Sequence, residues 1–149
     1  MAKKRSPKKK PPPKCKAILL CDRTIVEAGT GKASLIGIFD KFFVAQFPGV
    51  TSPFMAYVQL VDGIGKYTLS VEVHDLREGT VLAKMPPVEI EFAERITKAV
   101  LMFAAPPLPL PHEGSYDFVV LADDQEIDRQ KFEASSPGGS KGGENPANQ

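Results

Sequence analysis

Apolar and polar residues alternate with a period of two through most of this chain. In KYTLSVEVHD, Tyr67, Leu69, Val71 and Val73 fall on one side and Thr68, Ser70, Glu72 and His74 on the other. That is the mark of a strand with one buried face. Val88, Ile90 and Phe92 alternate with Glu89 and Glu91 in the same manner. Three further segments, AILLC, FMAYVQLV and AVLMFAA, are almost wholly apolar, which suits strands covered on both faces. Turn chemistry separates the runs: Ala-Gly-Thr-Gly, Asp-Gly-Ile-Gly, Arg-Glu-Gly and Ala-Asp-Asp-Gln. Eight strands are predicted, at 16–27, 33–46, 54–62, 66–75, 80–91, 95–104, 115–122 and 126–134. No segment offers an amphipathic helix. The expected fold is all-β: one antiparallel two-sheet sandwich of about eight strands, immunoglobulin-like or C2-like.

A late segment adds a local signature. In PHEGSYDFVV a Gly-x-Tyr enters a strand, with Phe118 two positions after Tyr116. Immunoglobulin-like sandwiches begin a late strand with such a tyrosine, its ring at the core edge and its hydroxyl bonded to a nearby loop. Phe118 stands where an antibody domain has its second cysteine.

The ends of the chain read differently from its middle. Residues 1–15 form a Lys/Pro-rich arm with no apolar periodicity, and residues 135–149 a Gly/Ser/Asn-rich tail with nothing to bury; both are expected to be disordered. The sandwich is expected over 16–134. The net charge of +1 conceals a division, because residues 1–16 hold eight cations and no acid. These are Lys3, Lys4, Arg5, Lys8, Lys9, Lys10, Lys14 and Lys16. Between Ala17 and Ala134 there are ten basic and seventeen acidic residues, so the body carries about −7. A polyanion would therefore bind the arm, by salt-dependent contact with phosphates and without base stacking, since no aromatic is interleaved. KKRSPKKK would also read as a nuclear import signal in a eukaryote. The alternative is a solubilising tail.

Cys15 and Cys21 make no disulfide framework: six residues apart on one strand, they stand about 20 Å from each other. That fits a reducing compartment. The basic stretch leads only to Ala-Ile-Leu-Leu-Cys before Asp22 and Arg23, shorter than an export signal needs, and no run reaches transmembrane length. A cytoplasmic protein without a membrane span is expected.

Gly29-Thr-Gly-Lys32 imitates a phosphate-binding loop. A true one needs G-x-x-x-x-G-K-[ST] between a strand and a helix. Here Val26 occupies the first glycine position, Ala33 follows the lysine without a hydroxyl, and SLIGIFDKFFV does not open a helix. The segment is expected to turn the chain between two strands.

Other constellations are equally plain. His74 falls on the polar side of its strand, and His112 lies beside Glu113 in a proline-rich loop. Neither cysteine has zinc spacing. No activated nucleophile with an oriented base is visible, although a Cys21–His74 pair is conceivable; Cys21 reads as a core thiol. Strict strand parity would gather Glu27, Asp62, Glu94, Asp123 and Asp124 at one end, where carboxylates can hold calcium or serve only as turn residues. No catalytic residue, metal or cofactor is assigned. The same parity sends both tails to the other end, with the loops 47–53 and 106–111. There Phe47, Val50, Leu108 and Leu110 are candidates for an apolar partner-binding patch or for a cap over the core. Asp22 and Arg23 interrupt an apolar strand and are expected either to pair with Asp40 or Lys41 or to sit at an exposed edge.

The blocks CKAILLCDRTIVEAGTGKASLIGIFDKFFVAQFP and LPLPHEGSYDFVVLADDQEIDRQKF resemble an uncharacterised bacterial family catalogued only as a domain of unknown function. The likeness spans most of 17–134 and excludes the lysine arm. It implies a small sandwich and brings no activity, cofactor or catalytic residue. The expected function is that of a non-catalytic module binding a protein partner through end loops or a sheet edge. The alternative is association with nucleic acid through the arm.

Overall fold

The computed structural model describes residues 10–94 and 97–137. In chain order the strands are β1 (Lys14–Val26), β2 (Ala33–Phe39), β3 (Lys41–Phe43), β4 (Gly49–Val50), β5 (Phe54–Val61), β6 (Gly65–Asp75), β7 (Thr80–Lys84), β8 (Val88–Phe92), β9 (Ala99–Ala105), β10 (Pro109–Leu110), β11 (Gly114–Ala122) and β12 (Gln125–Ser135). One sheet has the order β2-β1-β5-β9. The other has the order β3-β12-β11-β6-β7, with β8 also on β6, and β4 pairs with β10 as a short third ribbon. The expected residues 1–9 of the basic arm and 138–149 of the tail lie outside the described residues.

The two main sheets face each other across one core. Ile18 and Leu20 of β1 and Ala56, Val58 and Leu60 of β5 meet Leu69, Val71 and Val73 of β6 and Phe118 and Val120 of β11. Each of these side chains larger than alanine contributes roughly 1.5–3 kcal/mol by leaving water. Aromatic rings cross this core in contact. Phe54 packs edge-on against Phe42 at 5.1 Å and Phe42 against Phe132 at 5.2 Å, while Phe132 stacks on Tyr116 at 5.5 Å. The neighbours β1-β5-β9 and β6-β11-β12 reproduce the A-B-E and C-F-G orders of immunoglobulin-like sandwiches, which decides against the C2-like alternative.

Tyr116 confirms the architecture locally. Its hydroxyl donates to the His112 carbonyl oxygen and accepts from the His112 amide at 3.4 Å, while its ring is fully buried. This is the tyrosine corner, tying the loop before β11 to the strand.

Among the described residues twelve strands replace the expected eight, for reasons visible in the chain. The segment 33–46 is two strands, because the chain reverses at Asp40 and crosses from one sheet to the other. β3 then runs parallel to β12, so the sandwich is not wholly antiparallel. The segment 80–91 is also two strands, β7 and β8, which occupy successive stretches of the same edge of β6. Between them Pro86 and Pro87, which have no amide hydrogen, interrupt the ladder.

The reversal at Asp40 also corrects the expected loop parity. β1 runs antiparallel to β5, so Glu27 lies at the opposite end from Asp62. The basic arm enters at the Asp62 end, with Lys14 Nζ 3.8 Å from Asp62 and the Pro11 carbonyl accepting from the Tyr67 hydroxyl at 2.8 Å. β12 carries the C-terminal segment to the other end.

Candidate functional site

The GTGK segment closes a hairpin. The Glu27 amide donates to the Lys32 carbonyl at 2.8 Å, and the Gly31 amide to the Glu27 carbonyl at 2.9 Å. Beyond the last pairing of β1 with β5, at Cys21 and Met55, β1 and β2 continue as a two-stranded ribbon with GTGK at its tip. No helix follows Lys32.

Asp22 and Arg23 lie where this ribbon leaves the sheet, and both are exposed. Neither joins an ion pair among the described residues, which corrects the expected pairing with Asp40 or Lys41. Asp22 instead stands over Gly37, whose φ is +71°; a Cβ there would come within 2.3 Å of Asp22 Oδ2. Asp22, Gly37, Phe39, Lys41, Phe43 and Pro53 line a shallow cavity of about 380 Å³.

The proline-rich loops cap the core. Leu108 is 2 % exposed and Leu110 is 0 % exposed. The Leu108 amide donates to Thr51 Oγ1 at 3.0 Å and its carbonyl accepts from the Thr51 amide at 3.0 Å, while β10 pairs with β4. The expected loop patch is corrected accordingly: Val50 is exposed, Phe47 is half-buried, and the two leucines are core. Alternating apolar residues in a short strand pair send every second side chain inward, and here that set is the leucines.

Two clusters of charged groups of the body are committed to structure. His112 Nε2 lies 2.8 Å from Asp75 Oδ2, and Nδ1 lies 2.8 Å from the Glu113 carbonyl oxygen. The bond to Glu113 and the Asp75 carboxylate raise the His112 pKa above its ordinary value. Burial pushes Asp75 up, but the Glu78 amide, His112 and the Arg77 amide outweigh it and hold the carboxyl low. Arg129 grips Glu126 through Nε and Nη2, at 2.7 and 2.6 Å, and the buried Asp117 through Nη1 at 2.6 Å. Cys15 and Cys21 are free thiols. Burial, reinforced by Asp128, pushes Cys15 up to about 11; burial, then Asp22, raises Cys21. Among the described residues no three His, Cys, Asp or Glu side chains converge to hold a metal ion, and no helix is long and apolar enough to cross a membrane.

Of the arm cations, Lys10, Lys14 and Lys16 are described. Lys10 Nζ sits 4.2 Å from the centroid of the Tyr67 ring and Lys14 beside Asp62, so two of them touch the body.

The two outward faces of the sandwich differ sharply. On the six-stranded sheet, opposite charges stand across the ladder as Lys66 and Glu91, Glu72 and Lys84, and Asp117 and Lys131. On the four-stranded sheet the register sets Ile38, Cys21, Met55 and Ala104 in one row and Leu19, Tyr57 and Met102 in the next. A third row holds Ala17, Gln59 and Val100. From Ala17 to Arg23 this face carries a single charge, Arg23, at its margin. Ile38 is 57 % exposed and Val100 is 39 % exposed, and on the ribbon Ile25 is 50 % exposed. The apolar runs FMAYVQLV and AVLMFAA carried the signal for this surface. They read as strands covered on both faces, yet among the described residues the chain covers only the inner one.

A model of the Family of unknown function (DUF6941) matches residues 16–135, and the chain belongs to that family. No curated protein matches the sequence. Among solved structures the chain is similar to the CARDB domain of a Pyrococcus furiosus protein, solved in complex with di-metal ions. Identity there is 17 %, with 83 % of this chain and 88 % of that one covered at a TM-score of 0.39. It is also similar to an immunoglobulin-like protein from Pseudomonas aeruginosa, at 12 % identity over 84 % of this chain and 98 % of the other, with a TM-score of 0.36.

Proposed function

We propose that this member of the family is a non-catalytic interaction module, and that it binds a protein partner through the outward face of its four-stranded sheet. One observation carries the reading: rows of apolar side chains on the outward face of the four-stranded sheet, with Lys14 and Arg23 at its two ends, opposite a second outward face on which opposite charges stand across the ladder. A contiguous exposed apolar patch of several hundred Å² marks an interaction surface on a folded domain. The binding surface is thus a sheet face extended by a ribbon, in place of the end loops whose leucines are buried.

The non-catalytic part of the reading draws on His112. Both of its ring nitrogens already face acceptors and its ring stacks on Tyr116 at 5.4 Å, which leaves no free nitrogen to act as a base.

The test is affinity capture with the full chain, with Ile38→Lys, and with Glu89→Lys on the other face as control. Retention of a specific protein by the wild type and the control, and its loss with Ile38→Lys, is the expected result. Equal retention by all three would sink the assignment of the face.

A further inference from the structure

Beyond the outward face, we infer that the cleft between the base of the β1–β2 ribbon and β3 binds a small apolar zwitterion. Such a ligand carries one ammonium and one carboxylate on an apolar body, as an apolar α-amino acid or a short peptide does. The inward series of β1 leads to the cleft. Ile18 and Leu20 point into the core, and a period of two puts Asp22 next in that series. The flanking pairs Cys21–Ile38 and Arg23–Ile36 set Gly37 across from it. A Cβ at Gly37 would meet Asp22 Oδ2 at 2.3 Å, so the carboxylate occupies the space that a side chain there would fill. Where the core would continue with two more apolar side chains, the sequence sets a carboxylate and a glycine. Both line the cavity of about 380 Å³, a volume within the range of small-molecule sites.

The floor of the cleft is aromatic. Phe39, Phe42 and Phe54 meet edge-on there, with ring centroids 4.7 to 6.0 Å apart. β3 adds Phe43, which at 69 % is the most exposed large hydrophobic side chain among the described residues. An apolar body laid between this floor and Phe43 would take both out of water.

Charge selects the head group. Asp22 and Lys41 line the same cavity from β1 and β3, and both are exposed. Neither joins an ion pair among the described residues, with each other or with any third group. A simple amine would be drawn to Asp22 and repelled by Lys41, and a simple carboxylate would meet the reverse. A molecule bearing both charges satisfies both residues, its ammonium at Asp22 and its carboxylate at Lys41.

The experiment is calorimetric titration of the full chain with L-phenylalanine and with a phenylalanyl-leucine dipeptide. Two analogues of the amino acid accompany them: the N-acetyl derivative, which lacks the ammonium, and the amide, which lacks the carboxylate. Saturable binding with a Kd of about 0.1–1 mM is expected for at least one zwitterion. Each analogue should bind about tenfold more weakly or not at all. Asp22→Asn and Lys41→Gln should each weaken the zwitterion by about tenfold, and Glu89→Lys should leave it unchanged. Both cleft positions are exposed, so an unaltered melting temperature shows that the variants fold. The backbone amide resonances of Gly37 and Phe43 should move on saturation. Binding of the amino acid alone, or of the dipeptide alone, supports the cleft and tells which source fills it. The inference is overturned by no saturable binding of either zwitterion up to about 10 mM, by analogues that bind as tightly as the parent, or by undiminished binding to the folded Asp22→Asn and Lys41→Gln variants. Resonance shifts confined to the six-stranded sheet overturn it equally.

Discussion

His112 and Asp75, thirty-seven positions apart, are joined by a 2.8 Å contact between Nε2 and Oδ2. The second ring nitrogen faces the Glu113 carbonyl, so both nitrogens meet acceptors and the geometry calls for the doubly protonated imidazolium. The carboxyl is 1 % exposed and the imidazole 16 % exposed, which ties the loop before β11 to the turn after β6.

This pair sets a pH window. The folded His112 pKa is raised from 6.5, so its contribution is complete below that value and is lost as pH rises through the folded pKa. The folded Asp75 pKa is lowered from 3.8, so its contribution is present above that value and is lost as pH falls through the folded pKa. Stability from the pair is therefore greatest between these two reference values. Thermal melts across the range should show wild type losing stability relative to His112→Phe as pH climbs above the histidine range. Parallel wild-type and His112→Phe curves over that span would refute the imidazolium assignment.

Tyr116→Phe keeps the ring stack and removes one hydroxyl. The His112 carbonyl and amide lose their partner, at a cost of about 1–2 kcal/mol. Urea denaturation should show a lower midpoint with an unchanged slope.

Arg129 bridges two carboxylates, one of them the buried Asp117. Arg129→Met should cost about 2–4 kcal/mol, since it strands a buried negative charge. Adding Asp117→Asn to that variant should recover part of the loss. A double-mutant cycle with no coupling between the two positions would count against the network.

The cap and the binding surface are separable. Leu110→Ala should cost about 2–4 kcal/mol through the cavity it leaves. Val50→Ser, on the strand beside it, should change stability by less than about 0.5 kcal/mol. Equal effects at the two positions would contradict the burial pattern.

Much of this architecture is legible in single segments. The strict alternation of Tyr67, Leu69, Val71 and Val73 specifies β6 and its buried face, and Gly-Ser-Tyr116 announces the corner that opens β11. The failure of GTGK as a phosphate loop follows from Val26 and Ala33 alone. Other features depend on distant parts of the chain. Nothing local distinguishes Asp40, where the chain reverses, from any exposed strand residue; only the edge-on contact of Phe39 with the buried Phe42, on opposite sheets, reveals the corner. His112 reads as a loop residue because its partner, Asp75, is remote in sequence. The apolar face was written in FMAYVQLV, but a sequence does not say whether the second cover is its own.

Residues 10 and 137, the first and last described, lie at opposite poles of the sandwich. β6, which runs from one pole to the other, is eleven residues long, so the two stand roughly 35 Å apart. The segments that continue from these two residues therefore start on opposite sides of the fold, with the full length of β6 between them.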